Sequence, residues 1–389
     1  MIYLDVTGGC ALPLQTGIPR TTRELYRLLS ARRRDVVPVR WQPFRWSYTE
    51  LSAPALALLE NRAGVPSRPP RDTTGPWLRA AWRDLAPPWP RAFSLHRRLG
   101  PADTFVLTSM FPDNRLGELE KLPGRPGRKI ALFHDAIPLG DPRVPPWEKN
   151  RHRRALRLLT RLDCIIAVSR AARHDLLALG EENHLPLPLV HVIPWPVPFP
   201  GPRPVFTPPT GATILYVSRL KQVKNHAALL MACEQLWREG LEFSLELIGC
   251  EDEARESAAI LCEVRRLAAA GRAVSWRAQV SELELHAAYR RAAFTVFPSL
   301  AEGFGLPIVE SFWHGRGVIC SREGAVGETS AGPGAVHVEV TRPEPIAAAV
   351  RALLEDPARN AAVARAAHTR PVRTWDDYWR DFEPFLAAA

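Results

Sequence analysis

No long hydrophobic run occurs among the 389 residues. No uninterrupted apolar stretch approaches the roughly 18 residues that a membrane-spanning helix requires, so a transmembrane class is not indicated. Paired cysteines are absent as well: Cys10, Cys164, Cys233, Cys250, Cys262 and Cys320 are scattered without paired spacing, which fits reduced core thiols in a cytosol and argues against a disulfide framework. No cluster of His, Cys or Asp has metal-ligand spacing, so neither a metal ion nor any other cofactor is implied. The start, Met1-Ile-Tyr-Leu-Asp5-Val-Thr7, reads as a short strand and lacks a basic leader followed by an apolar segment. Export is therefore not expected, and the location is read as cytoplasmic. No nucleic-acid motif accompanies the pI of about 9.7, so a nucleic-acid partner is not expected.

What is abundant is positive charge, and it is unevenly spread. Residues 1–200 hold 30 Lys and Arg against 18 Asp and Glu, so the formal excess of +10 lies wholly in that half. This points to an acidic acceptor or an anionic membrane surface as a partner of the first half. Two stretches concentrate it: Asn61 to Arg98, with Trp77, Trp82 and Trp89 among arginines and prolines, and Trp147 to Arg161 on an expected helix. Tryptophan beside arginine suits a lipid interface or a phosphorylated lipid carrier, and equally a solvated insertion.

Length alone exceeds one compact core and fits two α/β lobes. In the first lobe, strands are expected at Ile2–Val6, Val36–Trp41, Thr104–Leu107, Ile130–Phe133, Cys164–Val168 and Val190–Ile193. Helices fit between most of them, which predicts a parallel, doubly wound sheet. The proline-rich run Pro194 to Pro204 marks a linker. A second α/β lobe follows, with strands at Thr213–Val217, Ser244–Ile248, Val274–Arg277, Thr295–Phe297 and Gly317–Cys320. The expected domains are 1–200 together with 374–389, and 205–373. Aromatic residues at helical spacing in Thr374 to Phe385 form an apolar face on a terminal helix.

The most informative segment is Pro298-Ser-Leu-Ala-Glu302-Gly-Phe-Gly-Leu-Pro307-Ile-Val-Glu310, between an apolar strand and an apolar helix. Gly303 and Gly305 allow a ligand close to the backbone, and the free N–H groups of the helix start near Leu306 and Pro307 suit a phosphate. A carboxylate only accepts hydrogen bonds, so Glu302 and Glu310 suit sugar hydroxyls on either side of that phosphate. Upstream, Ser218, Arg219 and Lys224 follow the first strand of the second lobe, where α/β folds bind ligands. Each cation about 4 Å from a phosphate contributes on the order of 4 kcal/mol at an effective dielectric near 20, before desolvation. In the first lobe His134 and Asp135 end a buried strand, and Gly17 precedes a helix start that is a second candidate anion cradle.

Glu302-Gly-Phe-Gly-Leu-Pro-Ile-Val-Glu310, with Ile214-Leu-Tyr-Val-Ser218-Arg219-Leu-Lys-Gln-Val-Lys224-Asn225, resembles the signature of retaining, nucleotide-sugar glycosyltransferases of family 4. The resemblance implies the GT-B fold: two Rossmann-like, doubly wound domains facing across a cleft, with a terminal helix returning to the first. It implies that Arg219 and Lys224 bind the donor diphosphate and that Glu310 holds ribose. Glu302 and the backbone of Gly303, Phe304, Gly305 and Leu306 would grip sugar and phosphate. His134-Asp135-Ala-Ile-Pro138 resembles an acceptor-lobe element beside the transferred sugar, which makes His134 a candidate catalytic residue with Arg219, Lys224 and Glu302. Thr16-Gly17-Ile-Pro-Arg20, Ala167-Val-Ser169-Arg170 and Gly324-Ala-Val-Gly-Glu328 match further elements loosely. Departures occur at Pro194-Trp-Pro-Val, at Val223, and at Ala278-Gln279-Val280, where Gln279 and Val280 are candidate base neighbours.

The implied activity is transfer of a hexose or deoxyhexose from a GDP-, UDP- or dTDP-linked donor to a hydroxyl of a glycan or lipid-linked acceptor, in surface-polysaccharide synthesis. The enzyme would need no metal and would work in the cytoplasm or on the inner face of the cytoplasmic membrane. A 2-epimerase or phosphorylase on the same fold is the rival enzyme reading. A non-catalytic polyanion or membrane-surface binder is the rival of another class.

Overall fold

Ile2-Tyr-Leu-Asp5 and Cys164-Ile-Ile-Ala167 are buried at every position, the pattern of parallel strands covered on both faces. They belong to the first of two units in a computed structural model that describes residues 1–10, 17–60, 91–109, 114–199, 201–251 and 254–386. Contacts divide the chain into Met1–Trp195 with Thr374–Ala389, and Pro196–Arg373.

The first unit holds β1 (Ile2–Asp5), β2 (Val36–Gln42), β3 (Ser47–Glu50), β4 (Ala92–Phe93), β5 (Thr104–Leu107), β6 (Arg128–Phe133), β7 (Cys164–Ala167) and β8 (Val190–Val192). Their order in the sheet is β4-β3-β2-β1-β5-β6-β7-β8. All six expected strands are present, but the sheet is not parallel throughout: β3 pairs antiparallel with β2 and with β4. Ser47-Tyr-Thr-Glu50 is short and largely polar, and Ala92-Phe93 shorter still, so neither carries the apolar run by which the other strands are read. The order reverses on either side of β1, and Asp5 at its carboxyl end is fully buried. Its carboxylate accepts from Tyr48 Oη and Arg115 Nη1, both at 2.9 Å, and from the Thr7 amide. Such partners are what a charge in that position requires.

The terminal helix Trp375–Phe382 starts in a capping box formed by Thr374 and Asp377. Tyr378 stacks on Trp195, with 5.0 Å between ring centroids, and Thr104 Oγ1 donates to the Leu386 carbonyl. The helix thus belongs to the first unit, as the resemblance implied.

The second unit is wholly parallel: β9 (Thr213–Val217), β10 (Ser244–Ile248), β11 (Val274–Arg277), β12 (Phe294–Phe297), β13 (Val318–Cys320) and β14 (Ala335–His337), in the order β11-β10-β9-β12-β13-β14. This is the order of dinucleotide-binding sheets, and its switch point lies at the carboxyl ends of β9 and β12. The edge strand β14 was not expected; its three half-buried residues give little pattern. The proline-rich linker is not a free spacer, because Trp195, Val197 and Phe199 are all buried. Val197 and Phe199 pack with Leu215, Tyr289 and Trp313 of the second unit.

Candidate functional site

Beyond β9 the chain passes Ser218 and Arg219 and makes a short turn at Gln222–Lys224, closed by Asn225 in the left-handed conformation. Several bonds fix this turn. Tyr216 Oη donates to the Lys224 carbonyl, and Asn225 Nδ2 donates to the Val340 carbonyl at 2.6 Å. The Leu300 amide, beyond β12, donates to the Val223 carbonyl at 2.9 Å, and Ser299 Oγ donates to the same oxygen at 3.3 Å. The two loops at the switch point are therefore sewn together. Val223 is buried, which accounts for an apolar residue at this point of the turn.

This places Lys224 against Glu302, with Nζ 2.6 Å from Oε1 and both side chains 13% exposed. The sequence assigned one to the phosphate and the other to the sugar, so their meeting is informative. The pair offers both a cation and an acceptor at one point. Arg219 is exposed at the same loop.

Gly303-Phe304-Gly305 leads into the helix Leu306–Trp313. Gly305 has φ of +100°, and a Cβ there would lie 3.0 Å from Ile308 Cδ1. The backbone conformation favours glycine. The Phe304 carbonyl accepts from Thr329 Oγ1 at 2.6 Å, so the helix Gly324–Ser330 holds the turn from behind. One expectation needs correction: Pro307 has no N–H, and the Ile308 amide already donates to the Gly305 carbonyl. The helix start is a narrower donor set than the sequence reading assumed.

Glu310 is only 3% exposed, and its Oε2 accepts from Tyr289 Oη at 2.8 Å. The His314 Nδ1 lies 2.8 Å from the Glu310 carbonyl, which can only accept, so Nδ1 carries the proton. His314 Nε2 then accepts from His286 Nδ1 at 2.8 Å. Burial pushes His314 down to about 3, with His286 and nearby arginines adding to the shift against the opposing Glu310 bond, so the ring is neutral. Tyr289 stacks on it at 4.9 Å and 9°. Sequence reading missed Tyr289 and His314, whose positions fit a helix core and give no separate signal.

The neighbouring strand ends carry the other expected donor residues. Gly249 ends β10 so close to β9 that a Cβ would sit 1.8 Å from the Ser218 carbonyl oxygen. Trp276 Nε1 donates to the Gly249 carbonyl at 2.9 Å. Gln279 is half-buried beyond β11, and Val280 packs against the cluster that contains Tyr289.

In the first unit, His134 follows β6 and its Nε2 lies 2.8 Å from the Thr108 carbonyl. Nε2 must therefore donate. Burial lowers the pKa of His134, against the opposing effects of the Thr108 bond and Asp135, so the ring is neutral near pH 7 and Nδ1 is an acceptor. Asp135 was expected to face the sugar, yet its Oδ1 accepts from the Ile137 amide at 3.1 Å and starts a short helix. Ser169 caps the helix Arg170–Glu182 by accepting from the Ala172 amide. Gly17 opens the helix Gly17–Arg32, in whose first turns Arg20 and Arg23 are buried. Burial, then Arg27 and Arg20, push Arg23 down to about 10, so positive charge is crowded there. Thr16, and residues 61–90 with Trp77, Trp82 and Trp89, lie outside the described residues.

The family described as Glycosyl transferases group 1 matches residues 211–356. This stretch is thus similar to group 1 glycosyltransferases. That segment contains Ser218, Arg219, Lys224, Gln279, Val280 and the whole Glu302–Glu310 stretch. Among curated proteins, the serotype-specific mannosyltransferase WbdA of Escherichia coli is 33% identical over 100 residues, 25% of this chain and 12% of WbdA. A D-inositol 3-phosphate glycosyltransferase 1 of Catenulispora acidiphila is 30% identical over 167 residues, 41% of this chain and 40% of that protein. The chain thus spans between an eighth and two fifths of the length of these two relatives.

Solved structures extend the likeness to both units. Sucrose-phosphate synthase from Thermosynechococcus elongatus aligns over 99% of this chain and 96% of its own, with TM-score 0.63 and 18% identity. Anabaena Alr3699/HepE, in complex with UDP and glucose, aligns over 95% and 94%, with TM-score 0.62 and 16% identity. These likenesses show a GT-B fold. Among the described residues no helix is long and apolar enough to cross a membrane, and no group of three His, Cys, Asp or Glu is arranged to hold a metal ion.

Proposed function

We propose that the protein is a retaining, metal-independent glycosyltransferase that moves a hexose or deoxyhexose from a nucleoside-diphosphate sugar to a hydroxyl of a glycan or lipid-linked acceptor. The observation that carries this reading is the Lys224–Glu302 pair, 2.6 Å apart at the β9/β12 switch point, inside the segment that matches the group 1 glycosyltransferases. The mannosyltransferase relatives favour a mannose-type donor.

In this reading Arg219, Lys224 and the amides around Gly303–Leu306 neutralise the departing diphosphate, whose charge grows as the bond from the anomeric carbon to the phosphate oxygen breaks. Glu302 accepts from a sugar hydroxyl and keeps Lys224 extended toward the phosphate. Glu310, braced by Tyr289, accepts from the ribose diol. The acceptor oxygen attacks the same face of the anomeric carbon, and its proton passes to the leaving phosphate. His134, in the first unit, offers Nδ1 as an acceptor for a hydroxyl.

Thermal shift with UDP, GDP, dTDP and their sugars tests the donor assignment, because a ligand of the folded state raises its apparent stability. One nucleotide class is expected to stabilise the protein, and its sugar to be transferred to an acceptor with retention. Lys224→Ala and Glu310→Gln are expected to abolish transfer while leaving the thermal midpoint near that of the wild type; normal turnover in both refutes the site. Epimerised nucleotide without acceptor, or phosphate-dependent sugar release, would point to the epimerase or phosphorylase chemistry instead.

A further inference from the structure

Two segments take no part in the proposed transfer: the run Pro194-Trp195-Pro196 and the aromatic terminal helix. The first leaves β8 through Ile193, whose amide donates to the Ala167 carbonyl at 3.0 Å. A proline fixes its own φ and confines the residue before it to extended backbone, so Trp195 is held extended just past the carboxyl end of β8. Its indole is buried. In the terminal helix, Trp375, Tyr378 and Phe382 recur at spacings of three and four residues and so share one side. Tyr378 and Phe382 are buried there, with 5.5 Å between their ring centroids. The turn that follows the helix is tied back to the sheet, because Phe385 meets His191 of β8 edge to face at 4.6 Å.

Trp195 joins this helix to His134. It stacks on Tyr378 with an interplanar angle of 8°, and on His134 at 6.0 Å and 22°. One strand, β7, stands between β6 and β8, so the indole reaches past the end of β7 to the imidazole that follows β6. The imidazole has a use for such a wall. Its Nε2–H is committed to the Thr108 carbonyl at 2.8 Å, which leaves Nδ1 to accept. Once protonated, Nδ1 donates and can no longer accept. An apolar ring that keeps water away disfavours that charged form. Burial is the largest influence on the pKa of His134 and lowers it, outweighing the Thr108 carbonyl and the charge of Asp135, which both raise it. Trp195 adds an uncharged indole, and the terminal helix sets a phenol against that indole.

We infer that Trp195 is a positioning residue for transfer, and that the terminal helix acts through it: the Tyr378–Trp195–His134 stack fixes the plane of the imidazole and keeps water from it, so that Nδ1 stays an acceptor for a substrate hydroxyl. The inference rests on the role proposed for His134. It gives the end of the chain a part in the reaction without any contact with substrate, since loosening the terminal helix frees the indole and wets the imidazole.

NMR titration of the histidine rings in the full chain tests the stack itself, with the His134 signal assigned by its loss in His134→Ala. In wild type that ring is expected to carry its proton on Nε2 and to stay neutral below the ordinary midpoint near 6.5. Trp195→Leu, and Tyr378→Leu acting through Trp195, should each return the midpoint toward about 6.5. Trp195→Phe keeps an aromatic face and should keep the wild-type titration. In transfer assays the two leucine variants should retain the donor KM and lose kcat as pH falls, to about tenfold below wild type at about pH 5.5, one unit under the restored midpoint. Their nucleotide-induced thermal shift should match that of wild type, which separates this loss from damage to the donor site. A wild-type ring that titrates near 6.5, a result that needs no variant to fold, would overturn the inference, as would a midpoint unmoved in folded Trp195→Leu; either leaves the donor reading standing. A loss of kcat equal at every pH would assign Trp195 to packing alone and overturn it too. Wild-type kcat in His134→Ala would instead remove the role of His134 and the inference with it.

Discussion

In the proposed donor site Glu310 depends on a residue that would not itself meet the ligand. Its carboxylate is nearly buried and accepts from a phenol, Tyr289 Oη at 2.8 Å. A hydrogen bond to a charged group is worth about 1.5–3 kcal/mol. Removing this one leaves the ring packing intact, because Tyr289 still stacks on His314. Tyr289→Phe is therefore expected to raise the donor KM about tenfold with kcat little changed and the thermal midpoint nearly constant. Its effect should be non-additive with Glu310→Gln, since both act through one bond. A donor KM equal to that of wild type would show that Tyr289 only fills the core. Glu310 itself was legible from its place after the glycine turn. Tyr289 was not, because a tyrosine at helical spacing reads as packing, and only folding brings it to the carboxylate 21 residues away.

Among elements, the strand-end turns carry the proposed donor site and the strands fix where they stand. All but three short strands were legible, because buried parallel strands are continuous apolar runs. β3, β4 and β14 were not, because a strand of two to four residues shows too little pattern. The turns obey a different constraint, close approach of backbones. Gly249 and Gly305 report it at different strengths. Alanine at 249 would bring Cβ to 1.8 Å from the Ser218 carbonyl oxygen, and no side-chain rearrangement relieves a backbone clash. Gly249→Ala should cost about 3 kcal/mol or more and displace Ser218 and Arg219. Gly305→Ala meets only the end of the Ile308 side chain and should cost about 1–2 kcal/mol for its left-handed conformation. Urea denaturation of both variants checks the order; equal losses would contradict this reading of the two turns.

For the whole molecule, two buried histidines of the second unit couple stability to pH. Burial pushes both His226 and His314 down to about 3, while in the unfolded chain each titrates near 6.5. Between these values the unfolded state takes up protons that the folded state does not, so stability is full above about pH 6.5 and falls as pH is lowered. At pH 5 each contributes a loss of about 2 kcal/mol. Urea unfolding of the second unit should therefore shift to a lower midpoint between pH 7 and pH 5, and His226→Gln/His314→Gln should remove most of that shift. A midpoint that does not move over this range would mean that the two rings are not held neutral.

Charge asymmetry, the alternation of strands and helices, and the Glu302–Glu310 stretch were determined by the sequence alone, because periodicity, net charge and the special conformations of glycine are local properties. The fold decided what depends on pairs far apart in the chain. It joined Lys224 to Glu302 across 78 residues, braced Glu310 with Tyr289, turned the N–H of His134 toward Thr108, and buried a proline-rich linker. A hydrogen bond or an ion pair exists only when both partners arrive at contact distance, and that distance is set by packing.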